Sequence, residues 1–281
     1  MPESSAEFTV DEPLARRLIS RFFVPRTLRP LAEGWDNAVW LADERWAFWL
    51  PRRQIAIPGV RREIAVLGEL APQLPLPIPV PRFVGHAPWP YFGAELIAGE
   101  EPLGLTDDER RAVARPLGEF LRALHSASVS AELPDDPMGR ADMAIRVPRT
   151  ADALAAIGVE PPRGLLDAAS RLPRPDAMCV THGDLHFRHV LVDGGAVAGV
   201  IDWGDVCRGD PSIDLVLYWA VLPPDARPAF LAAYGPVSEE RLLRARVLAF
   251  NLGAVIAHHA TVERLDAVRD EALATLARAA S

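Results

Sequence analysis

Between Thr181 and Val192 the chain reads THGDLHFRHVLV, which sets one carboxylate, Asp184, among three imidazoles, His182, His186 and His189. Groups of these types can move a proton, hold a cation or anchor a loop. The choice depends on what the next residues bring back to the same place. HVLVDGGAVAGVID is two apolar runs separated by Asp-Gly-Gly, a strong hairpin signal. Counting outward from a Gly194-Gly195 turn pairs Asp193 with Ala196 and His189 with Val200. His189 then enters the hairpin and Asp202 leaves it, offset by two positions. Diagonal neighbours of that kind sit roughly 7–8 Å apart at Cβ, so their polar ends can converge on one ion. Asp184, five residues before His189, can reach the same space from the loop. A loop carboxylate, a ligand at the start of a hairpin and an Asp at its end make the minimal set for phosphoryl transfer. One carboxylate orients and deprotonates a hydroxyl, while the others hold a divalent cation against the nucleotide phosphates.

The elements that must position these residues are legible in outline. From Leu28 to Leu50 the pattern is strand-like, broken by EGWDN and ADER, which read as turns. GVRREIAVLGELA places Ile64, Leu67, Leu70 and Ala71 on one helical stripe with charges opposite. The proline-dense APQLPLPIPVPRFVG cannot be helix or central strand and reads as an extended connector into an edge strand. PYFGAELIAGEEP is a strand followed by a turn. Thr106 and Glu109 then stand at capping-box spacing before a helix whose apolar face is Val113, Leu117, Phe120, Leu121 and Leu124. PPDARPAFLAAYG is a helix closed by Gly235, and two more helices are predicted between Ser238 and Ser281. Strands first and helices after, with a short strand pair between, outline a two-lobed α+β protein hinged near Ala98 to Gly104.

Composition narrows the partners. The 281 residues, 49% hydrophobic, suffice for one large or two modest domains. A net charge of -8 disfavours nucleic acid and mildly favours a cationic small molecule. MPESSAEFTV carries no export signal, and the apolar stretch Val247 to Ala257, interrupted by Asn251, is too short to span a membrane. Cys179 and Cys207 lie apart with no Cys-x-x-Cys pattern, as expected of reduced thiols in a cytoplasmic protein. The chain has no lysine, so any cation the chemistry needs must be arginine.

HGDLHFRHVLVD, followed by GVIDWGD and GDPSIDL, resembles the antibiotic phosphotransferase family, kinase-like enzymes that phosphorylate aminoglycosides, macrolides and related small molecules. LAEGWDNAVWLADERWAFWLPRR is similar to that family's opening strands, and GEFLRALHSA to its first large helix after the hinge. The resemblance covers most of the chain. It implies a bilobal protein-kinase-like fold, with residues 1–97 as a small β-rich nucleotide-binding lobe. Residues 98–281 would form a larger, mainly helical lobe carrying the catalytic loop and the acceptor site. ATP or GTP would be the phosphate donor and Mg²⁺ the cation, with Mn²⁺ as the alternative. The acceptor would be a small hydroxylated molecule, of aminoglycoside type or, in the alternatives, a macrolide or a metabolite such as an amino alcohol or sugar.

The resemblance also implies roles residue by residue. Asp184 is the catalytic base, and Asp202 a metal ligand. Gly34 to Asn37 form the turn over the nucleotide, Glu63 pairs with a phosphate-binding cation, and Glu95 to Ile97 form the hinge facing the base. His182 ties the loop to the core and Asp214 braces it. The chain departs from the family pattern twice. His189 stands where the family more often has Asn, and an imidazole is a softer ligand than Mg²⁺ prefers. Trp49 stands where a Lys or Arg is usual, which leaves Arg52, or else Arg53, to swing in as the phosphate-binding cation. A non-catalytic protein that only binds nucleotide is the rival reading that Trp49 favours. For several residues an ordinary explanation competes with the functional one. His189 could be a packing histidine, Glu63 part of a solvated cluster with Arg61 and Arg62, and Asp205, Glu263 and Asp266 a charged surface rather than a pocket for a cationic acceptor. His258 and His259 read as groove or core histidines, and Cys207 as a small buried filler.

Overall fold

The computed structural model describes residues 6–34, 36–175 and 178–281. A short helix, α1 (Glu12–Ile19), precedes three strands, β1 (Leu28–Glu33), β2 (Asn37–Ala42) and β3 (Trp46–Pro51). Asp43 and Glu44 turn β2 into β3 at φ 54° and 51°, the left-handed conformations a tight hairpin needs. The Asp43 side chain holds that turn by accepting from Arg26 N and Thr27 N. Helix α2 (Ile57–Leu70) follows, burying Val60, Val66, Leu67 and Leu70. The proline-dense segment then runs to β4 (Phe83–Gly85) and β5 (Tyr91–Glu95). The five strands form one antiparallel sheet in the order β1-β2-β3-β5-β4. The proline-fed strand β4 is at its edge, where a missing N–H does no harm.

Residues 96–106 lead from the sheet into the helical part. Here Glu100 and Val192 exchange two backbone hydrogen bonds of 2.9 Å each, so the connector lies along the hairpin that follows His189. Helix α3 (Asp107–Ser126) starts with the expected capping box: Thr106 accepts from Glu109 N, and the Glu109 carboxylate accepts from Thr106 N at 2.8 Å. Helices α4 (Met143–Ala156) and α5 (Leu165–Ser170), which the sequence reading passed over, lead to β6 (Cys179–Thr181). Pro148 inside α4 hides its helical pattern, although Asp142 caps it by accepting from Ala144 N. The hairpin strands are β7 (Val190–Asp193) and β8 (Ala196–Val200), and β9 (Cys207–Gly209) returns to pair with β6. Helices α6 (Val216–Ala220), α7 (Arg227–Tyr234), α8 (Glu239–Val262) and α9 (Asp266–Ala280) complete the chain, with α7 ending at Gly235.

One core runs through the helical part, from Leu117, Phe120 and Leu124 of α3 to Phe230, Leu248 and Phe250. Arg110 and Glu271, each 3% exposed, form a 2.8 Å ion pair that fastens α3 to α9. The smaller sheet part has its own cluster, with Phe48, Trp40, Leu50 and Tyr91 packed against Leu18 and Ile19 of α1. Among the described residues no helix is long and apolar enough to cross a membrane.

Candidate active site

The loop from His182 to His189 leaves β6 and is gripped from below. Asp214 accepts from His182 N at 2.8 Å and from Gly183 N at 3.2 Å. Fully buried itself, Asp214 is backed by His125, whose ring nitrogens lie 3.2 Å from the Asp214 carboxylate and 2.8 Å from the Tyr234 hydroxyl. Gly183 sits at φ 91°, and a Cβ there would lie 2.1 Å from the Asp205 carbonyl oxygen, so no other residue fits. His182 closes the loop: Nε2–H donates to the Ile201 carbonyl at 2.9 Å, and Nδ1 accepts from Asp184 N at 3.3 Å. Burial first, and then the neighbouring His189, push its pKa down to about 4, so it stays neutral.

The hairpin differs from the simple count by one residue. Asp193 pairs with Ala196 as expected, but the register shifts between Leu191 and Val192, and Val200 faces Val190 rather than His189. Ala198 is the extra residue, a β-bulge where the hairpin packs on the connector and Val200 N donates to the Pro77 carbonyl at 3.0 Å. His189 instead accepts at its backbone carbonyl from Ile201 N, which puts Asp202 one position away rather than two. Asp202 turns out of the strand at φ 65°, a strained conformation for a non-glycine residue.

His189 joins the two acids. Its Nδ1–H donates to the Asp184 backbone carbonyl at 2.8 Å, and its Nε2 lies 3.2 Å from Asp202 Oδ2. Fixing one ring nitrogen on a carbonyl presents the other for a ligand, as in metal-binding histidines. The Asp202 carboxylate is half-exposed and open to the cleft. This pair fits a divalent cation, with the imidazole making the set softer than two carboxylates. His186 lies beside them, its ring centroid 3.8 Å from that of His189.

Asp184 has a partner that sequence reasoning missed. Arg140, on the loop before α4, donates through Nη2 to Asp184 Oδ1 at 3.1 Å and to Asp205 Oδ2 at 2.6 Å. Nothing in the local sequence marks it, since its loop is held at the site by backbone pairing along β9, where Arg208 donates to the Pro134 carbonyl and accepts from Asp136 N. Burial in the cleft raises the Asp184 carboxyl above its ordinary pKa, while Arg140 and His189 pull it back.

The sheet contributes the other wall. Glu63 of α2, only 1% exposed, does not meet Arg52 or Arg53; its Oε1 accepts from Trp203 N at 3.2 Å. Its Oε2 is buried with no hydrogen-bond partner, and burial, reinforced by Asp202, lifts its pKa well above the ordinary carboxylate range. The contact docks α2 on the segment after β8, where a Cβ on Gly59 would lie 2.8 Å from the Gly204 carbonyl. Trp49 stacks on Phe92 with centroids 4.9 Å apart and joins Val60 and Ile64, an apolar plug rather than a cation site. Arg52 instead holds the turn over the cleft, pairing with Glu33 at 2.6 Å and donating to the Gly34 carbonyl at 2.8 Å. Arg53 pairs with Asp36 at 3.1 Å, and Asp36 in turn feels the charges of Asp205 and Asp202. Gly34 N donates to the Asn37 carbonyl at 2.9 Å, and Asn37 Oδ1 is buried without a partner; residue 35 of the same turn lies outside the described residues.

At the hinge, the Glu95 side chain is exposed and pairs with Arg45 at 3.0 Å. Leu96 N donates to the Arg45 carbonyl, while the Gly93 carbonyl accepts from Arg82 on the opposite side. Strand alternation therefore turns the Glu95 carbonyl away from β3, to the β4 side.

Residues 27–248 match the model of the phosphotransferase enzyme family. The viomycin phosphotransferase of Streptomyces vinaceus is 31% identical over 274 residues, covering 90% of this chain and 88% of that one. A shorter match, 42% identical over 48 residues, is to the uncharacterized protein YcbJ of Bacillus subtilis (strain 168) and spans 17% of this chain and 16% of that protein. Among solved structures, the GDP complex of aminoglycoside 2'-phosphotransferase-IIIa superposes with a TM-score of 0.70 at 18% identity, covering 96% of this chain and 98% of that one. The macrolide 2'-phosphotransferase MphH from Brachybacterium faecium gives 0.63 at 23% identity, covering 93% and 97%. These structural likenesses establish the kinase-like fold, and the sequence matches carry the lineage further. With a matched region that runs from the first strand into α8, the chain belongs to the phosphotransferase enzyme family, whose members move phosphate onto a hydroxyl group.

Proposed function

We propose that the protein transfers the γ-phosphate of ATP or GTP to a hydroxyl of a small molecule, with an antibiotic of the aminoglycoside or viomycin type as the leading acceptor. A macrolide, an amino alcohol or a sugar comes next. The carrying observation is that His189 touches both residues, the Asp184 backbone carbonyl at 2.8 Å and the Asp202 carboxylate at 3.2 Å. In this reading residues 1–97 cover the nucleotide and residues 98–281 present the acceptor, in a cytoplasmic enzyme.

Asp184 acts as the base, accepting the acceptor's proton as the hydroxyl attacks. Because the transition state is loose, orientation contributes more than basicity. Arg140 is a positioning residue, fixing the Asp184 carboxylate by one N–H. His189 and Asp202 would hold a divalent cation, Mg²⁺ or Mn²⁺, which when bound would offset the charge of the nucleotide phosphates. The Glu95 carbonyl and Ile97 N–H would read the base edge, and the turn of Gly34 to Asn37 would cover the phosphates. Arg52 serves that turn as its anchor, which leaves Arg53, beside Asp36, as the arginine better placed to approach phosphate. Glu63 serves by docking α2 against Trp203 rather than by pairing with a cation. The test is nucleotide turnover stimulated by acceptor, screened across viomycin-type peptides, aminoglycosides, macrolides and amino alcohols. Turnover that no acceptor raises, with nucleotide bound, would favour the non-catalytic alternative.

A further inference from the structure

We propose that Asp184, His186 and His189 form a second metal site, overlapping the first at His189, that takes up Zn²⁺ and thereby disables the catalytic loop. The ligand atoms of these three side chains all lie within 4.8 Å of one another. All three come from a single short turn, so few backbone torsions need fixing to bring them round one ion. Two imidazoles and a carboxylate, with room for water, are the ligand set of an open zinc site. Mg²⁺, which favours oxygen in a near-octahedral shell, is poorly served by it.

The supporting contacts are already made. His189 Nδ1 is held by the Asp184 carbonyl at 2.8 Å, leaving Nε2 to turn toward a ligand. Asp184 gives Oδ1 to Arg140 at 3.1 Å and keeps Oδ2 for an ion. The His186 ring makes one hydrogen bond, a 3.3 Å contact with Arg188 N, weak enough to be exchanged for a metal bond. Phosphoryl transfer as proposed above uses Asp184 and His189 but gives His186 no task. An ion seated on the three would engage the base and draw His189 away from Asp202 together. That inhibition rests on the reading of Asp184 as base; the binding itself does not.

Zn²⁺ titrated into the purified full chain against a chromophoric chelator tests the site, with Co²⁺ as a spectroscopic probe. Wild-type protein should bind one Zn²⁺ per chain, and its Co²⁺ complex should show the intense visible bands of low-coordinate cobalt. His186→Phe and the gentler His186→Gln should each weaken Zn²⁺ roughly tenfold or more while folding as judged by melting. Asp202→Asn should leave Zn²⁺ affinity within about threefold, because Asp202 is not among the three ligands. Unchanged Zn²⁺ affinity in both His186 variants, a pale octahedral Co²⁺ spectrum, or loss of Zn²⁺ in Asp202→Asn would each overturn the proposal. Added Zn²⁺ should also suppress Mg²⁺-supported turnover of wild type, and a chelator should restore it. Absence of any turnover with Mg²⁺ would refute the phosphotransferase reading of this site and leave the binding result standing.

Discussion

The imidazole Nε2 of His189 stands 3.2 Å from the Asp202 carboxylate, across the mouth of the hairpin that carries both residues. An imidazole at this place makes the cation set softer than one with an amide oxygen. His189→Asn should therefore keep measurable activity but favour Mg²⁺ more than wild type does. The ratio of kcat/KM in Mn²⁺ to that in Mg²⁺ is expected to fall by roughly threefold. Equal ratios in the two proteins would remove His189 from the metal's surroundings.

Arg140→Ala should cut kcat on the order of 10- to 100-fold with little change in nucleotide KM, since the guanidinium touches Asp184 and not the hinge. The pH profile supplies a sharper readout. Arg140 draws the Asp184 pKa down, and its removal lets burial raise that pKa further. The base must be ionised, so the acid limb of the kcat profile should move to higher pH in the variant. Lysine at the position should restore activity only in part, having one compact charge in place of a fork.

Arg52 and Arg53 separate by kinetics. Arg53→Ala should raise nucleotide KM roughly tenfold, the ~1.4 kcal/mol of one charge-assisted hydrogen bond. Arg52→Ala removes the contacts to Glu33 and the Gly34 carbonyl, so it should lower the melting temperature as well. A KM effect confined to Arg52→Ala, with stability unchanged, would reverse the assignment.

Acid should unfold the protein through His182. Its pKa is about 4 when folded against the ordinary 6.5, so below pH 6.5 the unfolded chain takes up a proton that the folded one refuses. The stability is complete above pH 6.5 and is lost as pH falls toward 4, amounting to about 3 kcal/mol for this fully buried group. Partly buried His186, also held well below its ordinary pKa, adds in the same direction. Chemical denaturation of wild type and His182→Gln at pH 7.5 and 4.5 measures it; the variant's loss between the two should be visibly smaller.

Glu271→Ala should destabilise by about 3–5 kcal/mol, because it leaves the Arg110 guanidinium buried without its charge partner. Arg278, which also reaches Glu271, would lose its anchor too. Thermal unfolding checks this, and activity per folded molecule should stay near that of wild type.

The sequence made the chemistry-bearing loop and most of the scaffold legible because their signals are local. A capping box at Thr106, turn residues at Asp43 and Glu44, and Gly194-Gly195 between two apolar runs each act over a few residues. Three features escaped for the converse reason. Arg140 reaches Asp184 from a loop 44 residues earlier in the chain, and only the pairing of that loop beside β6 brings it there. The Ala198 bulge follows from how the hairpin lies on Pro77 and Ile97, a contact no count along the strand contains. The family resemblance implies that Glu63 meets Arg52 or Arg53, yet each finds another partner: Trp203 N for Glu63, Glu33 for Arg52 and Asp36 for Arg53.

The two hydrogen bonds between Glu100 and Val192 tie the connector to the hairpin. They bind the far end of the connector to the strand that follows His189, next to Gly99 at a φ of 142°. With that tie in place, a departing nucleotide would leave the floor beneath it assembled. Each new round of catalysis would then begin from a finished bench rather than one rebuilt on arrival.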